Sequence, residues 1–404
     1  MDEMKKRRFQ ILEGNDGEIS EEQDRKRKNI RRLIFIFAVI MVVAAIAVYI
    51  FLKYKTYDSY QVLEERKMET ITESEFYDFK DNLLKVSKNG AIYTTVEGKL
   101  IWNQSYEMNA PIVDVCQNYA VVGSKKGSEV YIFSTKGTEG KIATSGKLRA
   151  VEVADQGTIA VMTENNDSYY VNMYDTKGEK LVQGEMHIEN SGYPLAMSLS
   201  ADALKLAISL VDIKDGQADT TLNFYNFGTV GQNEIDNLVN SYTYKNEIIP
   251  KIHYLDENKA VAFSTDKIRF YKGSQKPEEI RAVDEPGEVR SIFFSDKYVG
   301  CSYNVIIKDE ETKKTKKVHE LCLYDDKGKV IMEEQYGKDY EKIEILDNEE
   351  IVMSMGDRLC IYQLNGTMKY RGKMKEDFLK IERTGKGNEY YILYKDKLQK
   401  IRLK

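Results

Sequence analysis

Six short turns ending in glycine recur through this chain, and where copies are adjacent they stand about 40 residues apart. They are Val96-Glu97-Gly98-Lys99, Thr135-Lys136-Gly137, Tyr174-Asp175-Thr176-Lys177-Gly178, Tyr271-Lys272-Gly273, Tyr324-Asp325-Asp326-Lys327-Gly328 and Leu364-Asn365-Gly366. Between them lie short runs of alternating apolar and polar residues, with little helical periodicity and only five prolines in 404 residues. Alternation with period two marks a half-buried strand, and glycine supplies the positive φ that tight hairpins need. A four-stranded unit of this length cannot bury its own faces, so the pattern predicts a ring of stacked units: an all-β fold, a β-propeller.

Innermost strands are expected at 75–79, 112–115, 148–153, 195–199, 252–255, 289–294, 340–346 and 378–382, which makes eight blades, with seven as the alternative. The last unit holds three strands, 378–383, 389–394 and 398–403. The segment 60–66 is expected to add the fourth and close the ring, removing the open sheet edges that invite aggregation.

Ahead of the repeat, residues 33–52 form an apolar run of about 20 residues with no charge and no proline. A helix of that length covers the roughly 30 Å hydrocarbon core with its backbone hydrogen bonds made internally. Six basic residues precede it: Arg25, Lys26, Arg27, Lys28, Arg31 and Arg32. The basic residues that follow, Lys53, Lys55, Arg66 and Lys67, are diluted by Asp58, Glu64 and Glu65, so the bias places the N-terminus in the cytoplasm. Ala45-Ile46-Ala47 has the small-x-small form of a signal-peptide cleavage site, but it lies inside the apolar run, which favours an uncleaved anchor. The expected organisation is a disordered cytoplasmic tail (1–32), a transmembrane helix (33–52), a short stalk (53–59) and an extracytoplasmic propeller (60–404). The tail's basic end is suited to anionic lipid.

The formal net charge is -5, and with ten basic and eight acidic residues in the tail the remainder is acidic without a clustered basic footprint, which argues against a nucleic-acid partner. The three histidines, His187, His253 and His319, are far apart in sequence, and no CxxC or HExxH spacing occurs, so no metal is expected. The segment from Gly140 to Lys147 has one residue too many between its glycines for a phosphate loop and reads as a connection between blades. Cys116, Cys301, Cys322 and Cys360 sit in strand-like contexts as buried thiols; Cys301 and Cys322 are placed to face each other across one hairpin, and their pairing is left open. Lys313, Lys314, Lys316 and Lys317 read as a solvated hairpin tip, with contact to anionic wall polymer or headgroups as the alternative.

The stretch 224–239 breaks the strand rhythm, with aromatic residues and glycines giving way to Asn233-Glu234-Ile235-Asp236-Asn237-Leu238-Val239. Ile235, Leu238 and Val239 have the spacing of a short amphipathic helical turn packed on the ring. A long decorated connection is the plainer reading. As a binding loop, its candidate interaction residues are Tyr225, Phe227, Gly228, Gln232 and Asp236.

In Leu199-Ser200-Ala201-Asp202-Ala203-Leu204-Lys205-Leu206-Ala207 the chain resembles the Ser-Pro-Asp-Gly-Lys-x-Leu-Ala turn of WD40-like propellers, with Ala201 and Ala203 in place of Pro and Gly. Together with the single anchor, Gly192-Tyr193-Pro194 and the run 224–234, it resembles an uncharacterised family of membrane-anchored WD40-like propeller proteins of Gram-positive anaerobic bacteria. The resemblance implies a fold and a location and brings no activity. Quinone-dependent propeller enzymes repeat a tryptophan docking motif, whereas this chain has only Trp102.

The expected function is a non-catalytic docking platform at the cell envelope for an envelope protein or cell-wall component, with no cofactor and no catalytic residue. The alternatives are an extracytoplasmic carbohydrate-active hydrolase or lyase using channel carboxylates, and a ligand-sensing module signalling through the anchor. Three or more carboxylates converging on one cleft favour the hydrolase; a channel mouth of aliphatic and amide groups disfavours it.

Overall fold

The computed structural model describes residues 16–71, 73–166, 168–308, 315–337, 339–347 and 349–404. It divides into two compact units, one ending at Lys55 and the other Thr56–Lys404.

The first unit is one helix, Asp16–Lys53. Within it Arg27–Phe51 is long and apolar enough to cross a membrane, and none of that span is buried. Arg27, Lys28, Arg31 and Arg32 are exposed on the helix, and Arg25 and Lys26 belong to its backbone. The helix takes in residues 16–32, where the sequence suggests a disordered tail, and residues 1–15 of that tail lie outside the described residues. Extending an existing helix avoids the cost of a new nucleus, and Glu, Gln, Lys and Arg are good helix formers. The sequence also places Glu21 and Glu22 four residues ahead of Arg25 and Lys26, the order that supports a helix.

The second unit is an eight-bladed propeller, each blade a four-stranded antiparallel sheet. Blades one to seven span residues 74–105, 111–143, 147–187, 193–244, 251–284, 288–336 and 342–373. The eighth combines Lys380–Arg383, Glu389–Leu393 and Lys397–Leu403 with Tyr60–Lys67. Each of the eight expected innermost segments is the first strand of its blade, and the segment 60–66 closes the last blade as expected. It pairs antiparallel with the final strand, from Tyr60 opposite Leu403 to Lys67 opposite Lys397. The stalk residues beside it also bond to the ring: Tyr57 N donates to Lys369 O at 2.9 Å, and Lys404 N donates to Ser59 O at 2.9 Å.

Apolar side chains are shared between blades. Along one strand Ala120 and Val122 face the first blade while Val121 faces the third, so a strand covered on both sides reads as a continuous apolar run. Seven of the eight interfaces hold a cluster of ten or twelve buried residues. The seam between the eighth and first blades holds three: Ile71, Leu393 and Leu398. A charged clasp lies in the same region. The buried Lys380 ammonium, on the eighth blade, stands 2.9 Å from Asp78 of the first and 2.9 Å from Glu344 of the seventh, and 3.1 Å from Glu382 beside it.

The recurring glycine turn joins the third and fourth strands of a blade. Gly98, Gly137, Gly178, Gly328 and Gly366 have positive φ there. Gly273 does not; a Cβ at that position would lie 2.2 Å from the Lys276 carbonyl oxygen, so close approach and not φ demands glycine. In the turn that resembles the WD40-like motif, Asp202 accepts from Ser200 Oγ at 2.6 Å and from Lys205 Nζ at 2.9 Å. Ala203 sits at φ 55°, the position the motif gives to glycine, and carries the strain a Cβ meets there. Cys301 and Cys322 lie directly opposite each other in adjacent strands, both as free thiols. Lys313 and Lys314 lie outside the described residues, and Lys316 and Lys317 are exposed on the strand that follows.

Ring closure by Tyr60–Lys67 yields a direct test. Deleting residues 1–55 keeps every propeller strand and is expected to give a protein that melts cooperatively. Deleting residues 1–67 removes the closing strand, bares the edge of Lys397–Leu403, and is expected to give aggregates by size-exclusion chromatography and no cooperative melt. Equal behaviour of the two truncations would mean that the ring does not need this strand.

Candidate functional site

The fourth blade departs from the others at the third-to-fourth strand connection, where residues 227–237 replace the short glycine turn. Two 3-10 turns, Gly231–Asn233 and Ile235–Asn237, build the connection, and Leu238 already begins the next strand. Ile235 is 87% exposed, so the expected amphipathic helical turn packed on the ring does not form. The backbone hydrogen-bonding of a strand claims Leu238 and Val239 instead.

One end of the connection is pinned to the fifth blade. The buried Asn226 donates through Nδ2 to Gln275 O at 2.9 Å and accepts from Gly228 N at 2.8 Å. Lys276 Nζ pairs with Glu234 at 2.8 Å. Gly231 packs so tightly on Asn226 that a Cβ would fall 1.5 Å from the Asn226 carbonyl oxygen. Past this anchor, Asp236 and Asn237 adopt φ of 55° and 58°, a left-handed pair that turns the chain back toward the third blade.

That path roofs a cleft of about 400 Å³ between the third and fourth blades. Tyr225, Phe227 and Asp236 line it; Gly228 and Gln232 do not, and serve the connection itself, Gln232 N donating to Gly228 O at 3.2 Å. The remaining wall comes from residues that the sequence reading did not single out: Val171, Met173, Val182 and Met186 of the third blade, and Leu206 and Ile208 of the fourth. Met162, Met173, Met186 and Met197 share the underlying core, and this concentration of a flexible, polarizable side chain was the available signal. One free acid stands at the rim: the Asp236 carboxylate is exposed and makes no hydrogen bond or ion pair among the described residues, whereas Glu185 lies on the opposite face of its strand, accepting from Tyr170 Oη at 2.8 Å. Burial, assisted by the Asp236 charge, pushes the Tyr225 phenol above its ordinary value.

A second cavity, about 540 Å³, occupies the mouth of the central channel. Asp114, Glu152, Asp155, Asp256, Glu257 and Asp296 line it together with His253. Several of these carboxylates already have structural partners. Asp114 accepts from Val153 N, in the first strand of the next blade, at 2.7 Å. Glu152 accepts from Leu199 N in the blade after that, and Ser198 Oγ accepts from Tyr254 N at 2.9 Å one blade further on. Successive innermost strands are thus linked by one side chain reaching a neighbour's amide. Asp155 accepts from Cys116 Sγ at 2.7 Å, and Asp256 accepts from the Asn258 and Lys259 amides of its own turn at 2.7 and 2.8 Å. Burial pushes Asp114 and Glu152 upward, Glu152 further because Asp114 is close, and the same burial holds His253 neutral with its pKa lowered to about 3. His253 stacks on Phe294 with ring centroids 4.5 Å apart. Among the described residues no group of three His, Cys, Asp or Glu side chains is arranged to hold a metal ion.

Comparison with known proteins gives a family and a fold. The model of the Family of unknown function (DUF5711) matches residues 53–403. No curated protein matches the sequence. Among solved structures, Saccharomyces cerevisiae Sqt1 is similar with a TM-score of 0.52 at 11% identity, over 86% of this chain and 98% of that one. Kluyveromyces lactis Hsv2p is similar with a TM-score of 0.48 at 9% identity, over 76% and 99% of the two chains. At 11% identity the likeness to Sqt1 shows the fold alone.

The buried channel acids set a pH dependence. Their folded pKa values lie above the ordinary 3.8 and 4.5, so the folded protein retains protons that the unfolded chain has released. Their contribution to stability is therefore greatest at low pH, falls as pH rises from about 4 through the raised folded values, and is level beyond them. Glu152→Gln keeps an acceptor for the Leu199 amide and removes one titration. Its melting temperature, taken relative to that of the wild type at each pH, is expected to rise as pH rises above the ordinary carboxylate range. An unchanged slope would mean that Glu152 is ionised throughout.

Proposed function

This chain belongs to the family of unknown function DUF5711, and from that premise we propose that it is a single-pass membrane protein whose propeller is a non-catalytic docking platform at the cell envelope, outside the cytoplasm. The apolar span and the six basic residues before it support the anchor and its orientation. The observation that carries the docking role is the cleft. One blade alone exchanges a short turn for a pinned connection, and its Tyr225, Phe227 and Asp236 meet an apolar wall of the neighbouring blade. A rigid ring that holds such a loop recognises a partner by shape and needs no reactive group. The acidic channel mouth favours a second reading, a hydrolase or lyase. It ranks below the first because Asp114, Glu152, Asp155 and Asp256 are engaged by amides or a thiol of the fold.

Topology is tested by thiol labelling. A cysteine replacing the exposed Lys99 is expected to react with a membrane-impermeant maleimide in intact cells, and one replacing Ser20 only after permeabilisation. The reverse pattern would overturn the orientation. Docking is tested with a photo-crosslinking residue at Ile235 or Gly184 of the full-length protein in cells. A discrete adduct is expected from both positions and not from Gln217, in the hairpin of the same blade away from the cleft. Tyr225 and Phe227 pack against the shared core, so alanine there is expected to lower stability as well, whereas Asp236→Asn is expected to leave the melting temperature unchanged. Equal crosslinking from all three positions would remove the cleft from the proposal.

A further inference from the structure

The cleft between the third and fourth blades has a chemistry more specific than a general docking surface. Its floor is aliphatic and thioether: Val171, Met173, Met186, Leu206 and Ile208 are each at most 9% exposed. Phe227 and Tyr225 wall one side. No lysine or arginine lines the cavity, and the ionisable side chains at it besides Tyr225 reduce to the Asp236 carboxylate of the fourth blade. Glu185 alternates with Gly184 and Met186 along its strand, so its side chain is on the opposite face, held by the Tyr170 hydroxyl; Asp236 is exposed and carries no ion pair among the described residues. The cavity, about 400 Å³, lies within the ~300–1,000 Å³ range of ligand sites.

We propose that this cleft takes a peptide segment of a partner protein in which an aromatic or aliphatic side chain stands beside a lysine or arginine. The apolar side chain fills the methionine-rich floor and the cation sits against Asp236. Methionine repacks around different apolar groups, so the floor tolerates several anchors while the Asp236 carboxylate, with no basic residue in the lining, selects the neighbouring charge. Asp236 is set for this by its backbone. The strained left-handed pair at Asp236 and Asn237 turns the chain over the opening, and the Asn226 and Glu234 contacts to the fifth blade hold the preceding residues still. The exposed Ile235 beside Asp236 adds an apolar contact at the rim. This inference rests on the docking reading given above.

The test uses the full-length protein in lipid nanodiscs, panned against a random nonapeptide display library. Gly184→Phe fills the cleft at a strand position where a Cβ meets only the Val171 carbonyl oxygen at an ordinary 3.4 Å. Val182→Trp, on the same face of that strand and only partly buried, is a second filling variant should the first misfold. Enriched peptides are expected to pair an aromatic or aliphatic residue with Lys or Arg within two positions. Their binding is expected to be lost in Gly184→Phe, to weaken with added salt, and to weaken up to about fivefold in Asp236→Asn. Cleft-dependent peptides without a basic residue, or binding indifferent to Asp236→Asn and to salt, would overturn the partner class and leave the docking cleft standing. Peptides that bind both filling variants as well as wild type would overturn the cleft itself, as would a library that yields no enriched family. Self-association of the wild type that Gly184→Phe abolishes would overturn the peptide proposal in favour of a second copy of this chain.

Discussion

The pairing of Tyr60–Lys67 with Lys397–Leu403 is the contact on which the rest of the propeller depends. It joins residues at opposite ends of the domain, and until it forms the other blades have two free faces to bury and none of the ring's mutual support. The seam it secures is also the thinnest in the molecule, with three buried apolar residues where every other interface has ten or more. Three further ties offset that deficit. Gln399 donates to Glu65 at 2.6 Å across the closing pair, the Ser59 and Lys404 backbones bond to each other, and Lys380 links the innermost strands of the seventh, eighth and first blades. A buried ammonium among three carboxylates contributes little net stability compared with a well-packed apolar core, but loss of one member leaves charges unpaired, so the arrangement defines one way for the ends to meet.

Closure also explains where variation is tolerated. The third-to-fourth strand turn is short in six blades and absent from the eighth, whose fourth strand comes from the start of the domain. Only the fourth blade enlarges it, and the enlargement is not loose. Asn226 is 4% exposed with both ends of its amide engaged, and Gly231 approaches it at a distance only glycine allows. The connection therefore behaves as part of the scaffold up to Glu234, and the departure from ordinary backbone geometry falls on the two residues that reach over the cleft. Strain placed beside an unpaired carboxylate and an apolar cavity is what the proposed docking role uses.

Most of the architecture was legible in the residues because a propeller repeats its own evidence. Period-two alternation, the glycine spacing and a final unit one strand short lead to eight blades and to the closing segment without any long-range information. What the sequence obscured depends on neighbours that are distant along the chain. Ile235, Leu238 and Val239 have helical spacing, but pairing with the strand that carries Phe224 overrides it, since Phe224 and Asn240 are partners in the sheet. Tyr225, Phe227 and Asp236 could be picked out locally, whereas the wall they face comes from Val171 to Met186, some fifty residues earlier, where nothing but an excess of methionine sets the strand apart. Gly228 and Gln232 look equivalent to the lining residues in the sequence and lie in the connection, off the cleft.

The channel carboxylates illustrate why acidic residues in a ring mislead. An innermost strand has an edge with no further strand to bond, so some of its neighbour's amides face inward without partners. A side chain near the end of the strand can reach such an amide in the next blade, and Asp114, Glu152 and Ser198 do so in three successive blades. The position accepts an aspartate, a glutamate or a serine, which is what a requirement for an acceptor predicts and what a requirement for a general acid would not. The same desolvation that raises the two carboxyl pKa values is the consequence of sitting where eight strands converge. In this ring, then, the perturbed acids Asp114 and Glu152 report on how the blades are joined, and the proposed recognition lies outward, at the interface where a blade alters its turn.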